Sequence, residues 1–145
     1  MKTQRNLPAG FLKDVEGIEA ITTPMIVRQK SRDFSWFSPI LARELDDKLA
    51  DIVIAPQTEA DVIRVAAACA RHGVPLTVRG GGTGNFGQAV PLHGGVVLDT
   101  IGMSELLWVR GACARLQGGC ALMKVDEEIR AHGWELRIHP STNLV

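Results

Sequence analysis

The 145-residue chain, of 15.7 kDa, is long enough to bury the core of one ordinary domain and short for a two-domain enzyme. Its 16 basic residues balance 16 acidic ones at a pI near 6.9, so it presents no general field for a polyanion, and nucleic acid is excluded as a first partner. A hydrophobic share of 46% with 22% charged residues belongs to a folded globular chain rather than a disordered one.

The N-terminal stretch "MKTQRNLPAGFLKDVEG" meets Pro8, Gly10, Lys13 and Asp14 before any apolar run develops, which excludes a secretory signal core. No later stretch is apolar for long enough to span a membrane. Cys69, Cys113 and Cys120 are odd in number, show no C-x-x-C spacing and have apolar or small neighbours, so three buried thiols in a reducing, cytoplasmic setting are expected.

In chain order, Pro8 to Val15 predicts a short helix, closed by a turn at Gly17. Thr22 to Pro39 mixes charges with Phe34, Trp36 and Phe37 and predicts an ordered loop whose aromatics anchor it over a hydrophobic surface. "ADIVIAP", Ala50 to Pro56, is a branched run closed by proline and predicts a buried strand. Thr58 then stands as an N-cap, with Glu59 and Asp61 in the first turn where acids suit the helix dipole. Val62, Val65, Ala66 and Cys69 recur at helical spacing until Gly73 stops the helix. "VPLTVR" follows as a strand, so strand, helix and strand in close succession predict a parallel β-α-β unit.

A third strand, "VVLDT", comes after the Gly94-Gly95 turn, and "ELLWVRGACARLQGG" predicts an antiparallel hairpin about Arg110-Gly111. Leu122, Val125, Ile129 and His132 mark a last amphipathic helix stopped by Gly133. "WELRIHPSTNLV" reads as an extended segment, ending on an apolar pair as an interrupted element would. The expected organisation is an N-terminal helix and aromatic region over 1–49, a first subdomain over 50–102, and the start of a second over 103–145. The fold class is α+β: a small parallel β-α-β sheet flanked by helices, leading into antiparallel structure.

The chemistry concentrates in "VRGGGTGNFGQAVPL", where five of the eight positions from Gly80 to Gly87 are glycine. "GTGNFG" satisfies G-x-G-x-x-G, but a Rossmann loop needs a helix after its last glycine, and "QAVPLHGG" cannot supply one. Asp99 closes a strand as a ribose-binding acid would, yet arrives too soon and without a crossover helix. A P-loop needs lysine and a hydroxyl where Gln88 and Ala89 stand. A third device needs no helix: successive glycine amides curve into an anion-binding nest, with no Cβ between backbone and ligand. Gly80-Gly81-Gly82-Thr83-Gly84 suits it, with the Thr83 hydroxyl and the Arg79 charge beside it. Against a plain turn, which needs one or two glycines, five in eight is entropically costly.

Other residues invite simpler readings. His72 and His132 each precede a helix-stopping glycine and suit the C-terminal dipole, and His93 lies in a turn. Trp36, Trp108 and Trp134 read as core or interface, and Asp126, Glu127 and Glu128 as a solvated helix face. Nothing has metal-ligand spacing, and no catalytic residue is identified.

The succession from "VIAPQTEADVIRVAAACARHGVPLTVRGGGTGN" to "VVLDT" resembles the FAD-binding domain of the vanillyl-alcohol oxidase / p-cresol methylhydroxylase family, which includes glycolate oxidase FAD subunits and D-lactate dehydrogenases. The likeness is strongest from Ile52 to Asp99 and covers the N-terminal portion of that domain. It implies FAD as cofactor, its pyrophosphate held by Gly80, Gly81, Gly82, Thr83, Gly84 and Asn85, with Arg79 flanking and Gly87 and Gln88 continuing the cradle. Pro140, Ser141 and Thr142 match the family's P-S motif near the flavin, with His139 beside it. Members that tether flavin in this loop carry histidine where Thr83 stands, so non-covalent binding is implied.

The resemblance further implies oxidation of a 2-hydroxy acid or alcohol by the complete protein, since the substrate-binding and acid-base residues of the family lie beyond Val145. This chain alone is then inactive, and self-association through apolar surface at the interrupted edge is expected. Two other readings stay open. One is a non-catalytic split module that binds nucleotide with a partner chain; the other is a structural β-α-β domain whose loop holds a simple anion.

Overall fold

A computed structural model describes residues 7–138 and residue 140. Among them, α1 (Ala9–Asp14) leads through a left-handed turn at Gly17 into β1 (Glu19–Ile21). Then come α2 (Pro24–Lys30), a 3-10 turn (Phe34–Phe37) and α3 (Pro39–Leu45). β2 (Ile52–Ala55), α4 (Glu59–His72), β3 (Leu76–Arg79) and β4 (Val96–Asp99) complete the main layer. The hairpin β5 (Leu106–Arg110) and β6 (Cys113–Leu116) and the helix α5 (Leu122–Arg130) follow.

The four-stranded sheet has the order β1-β2-β4-β3, with β2, β4 and β3 parallel and β1 antiparallel at one edge. The β-α-β expectation is therefore met in direction but not in adjacency. β2 and β3 do not pair; β4, arriving later in the chain, lies between them. Alternation sorts the central strands: Ile52, Ile54, Val96 and Leu98 join Phe11, Val15, Val65 and Cys69 in one core, while Val53 and Val97 pack with Val27 and Ala50 in a second core. The sheet is thus covered on both faces, as parallel sheets require. Full burial of such a side chain contributes about 1.5–3 kcal/mol.

α4 begins as its sequence predicts. Thr58 Oγ1 accepts from the Asp61 amide and the Asp61 carboxylate from the Thr58 amide, a reciprocal capping box, and Gly73 ends the helix at φ +63°. Residues 22–39 depart from the expected loop. Proline at the first turn of both α2 and α3 fixes a helical φ, and the Ser38 hydroxyl caps α3. The aromatics do not anchor a loop over the core: Trp36 and Phe37 are exposed and stack on one another with centroids 3.8 Å apart.

Other expectations are corrected by tertiary contacts. Cys69 is buried, but Cys113 faces solvent on β6 and Cys120 is half-buried. Trp134, like Trp36, is about half exposed rather than in the core. Asp126 is no bare solvated face, because it receives the Leu136 amide at 2.7 Å and the Arg130 guanidinium at 2.8 Å. His72, beyond its place before Gly73, carries a ring nitrogen 2.8 Å from Asp14 and packs edge-on to Phe11, tying α4 to α1.

Candidate functional site: a glycine loop beside a cationic cleft

β3 and β4 are neighbouring parallel strands joined by residues 80–95, which contain no helix. The loop therefore leaves the C-terminal end of β3, where Arg79 is in register with Asp99 of β4. Such strand ends are where ligands of open parallel sheets collect.

Within Gly80–Gly84 only Gly82 has positive φ, at +69°, so the curve turns about one left-handed residue rather than a run of them. Gly87, at φ +82°, makes the second such turn. A Cβ on Gly82 would collide with the Arg79 guanidinium, and one on Gly84 would lie 2.5 Å from Gln88 Oε1 and 3.2 Å from Asp33 Oδ2. One on Gly87 would lie 2.6 Å from Leu45 Cδ1. Gly80 differs: its Cβ would meet only the Gly118 carbonyl at 3.8 Å, an ordinary contact. Packing among the described residues makes no demand for glycine at that position.

The remaining sequence-predicted residues divide clearly. Thr83 is half-buried in the loop and Asn85 is exposed. Gln88 spends its Oε1 on the Phe86 amide at 3.0 Å, so it braces the loop internally. Pro140 is exposed, whereas Ser141, Thr142 and His139 lie outside the described residues.

A cleft of about 460 Å³ opens beside the loop, lined by Met25, Arg28, Gln29, Arg32, Asp33, Phe34, Trp36, Arg79, Gly81 and Gly82. Three guanidiniums against one carboxylate make its wall cationic, although Arg28 and Arg32 share the exposed Asp46 as partner. Sequence reasoning missed the contribution of residues 25–36. The sequence carries no local signal for it, because Arg28 lies on α2 and Arg32 beyond its end, and the two meet only at their shared partner Asp46.

At the base of the loop Arg79 Nη1 donates to the Gly80 carbonyl at 2.8 Å. Burial pulls the Arg79 pKa below its ordinary value, while the charges of Asp99 and then Asp33 push it back up. Asp99 is buried and pairs with Lys30 Nζ at 2.5 Å. Asp33, also buried, accepts the Ser35 amide at 2.9 Å, and next to it the Phe34 amide donates to the Gly84 carbonyl at 2.7 Å. Among the described residues no three of His, Cys, Asp and Glu gather as a metal centre, and no helix is long and apolar enough to cross a membrane.

A loop with room for a ligand atom at Gly80, beside a cationic wall with aromatic side chains, fits the phosphates of a dinucleotide. Comparison with known proteins identifies the family. The glycolate oxidase subunit GlcD of Escherichia coli (strain K12) is 32% identical over 95 residues, covering 64% of this chain and 19% of the relative. The D-lactate dehydrogenase of Archaeoglobus fulgidus is 32% identical over 90 residues, covering 61% and 20%. The chain thus spans about a fifth of the length of the curated relatives it matches. Among solved structures, alkyldihydroxyacetonephosphate synthase superposes with a TM-score of 0.79 at 18% identity, over 92% of this chain and 29% of that one. p-Cresol methylhydroxylase does so with a TM-score of 0.70 at 15% identity, over 94% and 26%. These two likenesses establish the fold. Residues 50–143 match the sequence profile of the FAD binding domain, and the chain belongs to that family.

Proposed function

We propose that the complete protein is an FAD-dependent oxidoreductase acting on a 2-hydroxy acid or similar alcohol, and that this chain supplies its diphosphate cradle. The observation that carries the cradle assignment is the loop itself: Gly80 is glycine with no steric need among the described residues, and the neighbouring cleft is cationic. The loop amides of Gly80 to Asn85 receive the diphosphate oxygens, and the Arg28 and Arg32 side of the cleft lowers the cost of bringing two negative charges there. Bound FAD supplies hydride acceptance. The chain's residues hold and orient it. Thr83 offers a hydroxyl and no nucleophilic nitrogen, so the cofactor is held without a covalent bond. The substrate class follows from what two relatives act on by name, a glycolate oxidase subunit and a D-lactate dehydrogenase. A reducing, cytoplasmic location accords with three cysteines in no disulfide.

The test is titration of the purified chain with FAD, followed by flavin fluorescence, with Gly80→Ala beside the native sequence. Native binding, weakened in Gly80→Ala at unchanged thermal stability, is expected; equal binding by both sinks the cradle assignment. Acid precipitation should release all flavin into the supernatant. For the complete protein, flavin bleaching on anaerobic addition of glycolate or D-lactate is expected, and an unchanged spectrum with both would reject the substrate class.

A further inference from the structure

Four charged side chains from four separate segments converge at the base of the glycine loop. Lys30 closes α2, Asp33 precedes the 3-10 turn, Arg79 ends β3 and Asp99 ends β4. Lys30 Nζ lies 2.5 Å from Asp99 Oδ2, with the two side chains only 20% and 4% exposed. Asp99 is the register partner of Arg79 across the β3–β4 pair, and the next residue, Thr100, donates its hydroxyl to the Arg79 carbonyl at 3.2 Å. The Arg79 guanidinium in turn lies where a Gly82 side chain would be and holds the Gly80 carbonyl. Arg79 Nε, Asp33 Oδ2 and Asp99 Oδ1 are buried without a hydrogen-bond partner among the described residues, so the cluster is held by charge more than by directed bonds.

We propose that the Lys30–Asp99 pair is a positioning device for the dinucleotide loop, acting through Arg79. Neither Lys30 nor Asp99 lines the cleft, whereas Arg79 does. With two cations and two anions the cluster is balanced, and Lys30 shares the negative charge of Asp99 that would otherwise act on Arg79 alone. Removing the lysine leaves Asp99 buried with Arg79 as its remaining cation, which draws the guanidinium from Gly82 and the Gly80 carbonyl toward β4. The loop then loses the side chain that fixes its curve. Helix α2, which lies before the span shared with the FAD binding domain, thereby sets the affinity of a cradle it does not itself form.

The affinity part of this inference rests on the proposed FAD cradle; the effect on the loop does not. The experiment therefore measures both in the full chain, using Lys30→Met, Lys30→Arg and Asp99→Asn, with Arg43→Met as an exposed control. Amide hydrogen exchange at residues 80–84 without ligand is expected to speed up about tenfold in Lys30→Met and Asp99→Asn, and to stay near native in Lys30→Arg and Arg43→Met. FAD affinity should fall by about the same factor in the first two. The salt dependence of binding should keep its native slope in Lys30→Met, since a lysine in contact with phosphate would lower that slope on removal. Native exchange at 80–84 in Lys30→Met overturns the proposal, and so does a reduced salt slope. If neither Lys30→Met nor Asp99→Asn yields a folded chain, the pair is a folding element and the proposal fails. If exchange responds as expected while the native chain ignores FAD, positioning stands and the FAD cradle is what falls.

Discussion

Asp51 and Gly95 hold one another through two hydrogen bonds: the Asp51 amide donates to the Gly95 carbonyl at 2.7 Å, and the Gly95 amide donates to Asp51 Oδ2 at 2.7 Å. The pair stands immediately before β2 and β4 and starts the two central strands in register. Gly95 has φ +75°, and a Cβ there would strike the Pro75 carbonyl. Asp51→Ala removes the acceptor of a buried amide and is expected to cost about 1–3 kcal/mol. Gly95→Ala should cost more, since strain adds to collision. Urea unfolding followed by far-UV circular dichroism checks both, and an unshifted midpoint in Asp51→Ala refutes the first.

Acid should loosen the contact between α1 and α4. The hydrogen bond from His72, and then the Arg71 guanidinium, hold the Asp14 carboxyl below its ordinary value of 3.8. Asp61 is held low too, by the Thr58 hydroxyl and the amides of Gln57 and Thr58. A carboxyl with a depressed folded-state pKa adds stability above its unfolded pKa and loses it as pH falls through the folded one. Stability should therefore fall below about pH 4, and Asp14→Asn should flatten part of that limb. Melting temperatures between pH 2 and 7 decide it; an unchanged acid limb in Asp14→Asn would be the contrary result.

The three thiols should react in order of access. Burial pushes Cys69 up to about 11, so little thiolate exists there at neutral pH. Cys113 is exposed. Cys120 is half-buried, its pKa raised chiefly by burial, and its thiol donates to the Glu105 carbonyl at 3.4 Å. Ellman's reagent should modify Cys113 first, Cys120 more slowly, and Cys69 only on unfolding. One equivalent released fast, with Cys113→Ser abolishing it, is the expected trace; rapid modification of Cys69 in the native chain would contradict it.

The cap of α4 gives a local test. Thr58→Ala removes the hydroxyl bonded to the Asp61 amide at 3.1 Å, and should cost about 1 kcal/mol. Exchange of the first-turn amides of α4 should rise, while Val65 and Ala68, buried further along, respond only through global opening. Uniform protection along the helix in that variant would show that the cap contributes nothing.

What the sequence reveals depends on whether the signal is local. Thr58, Pro56, Gly73 and the branched runs of β2 and β4 each act on their own neighbours, so residues 50–99 are readable as elements. The order of the strands is not, because Ile52–Ala55 and Val96–Asp99 are each apolar over their first three residues and nothing in either tells which strand the other will adjoin. Residues 24–45 carry local signals in Thr23-Pro24 and Ser38-Pro39, but helices of seven residues are too short for periodicity to outweigh the charges and aromatics among them. In the site, the glycine loop is legible because glycine excludes alternatives. Lys30, Asp33 and Asp99 are not, since a charge acquires its partner only when distant segments meet. Asp99 could be weighed from sequence as a ribose ligand, yet it is buried against Lys30.

The sheet order also bears on how the molecule assembles. The strand at the centre, β4, is the last of the four to be made, so β2 and β3 have no common partner until residue 96 and its successors have been synthesised. Chain closure over such separations is slow compared with helix formation. Helix α4, with its own cap, can form early, but the curve at Gly80–Gly84 spans the last seam to zip. A nascent chain therefore passes through a stage in which its helices exist and the curve of its glycine loop does not, and slow steps in refolding should be visible first at the loop.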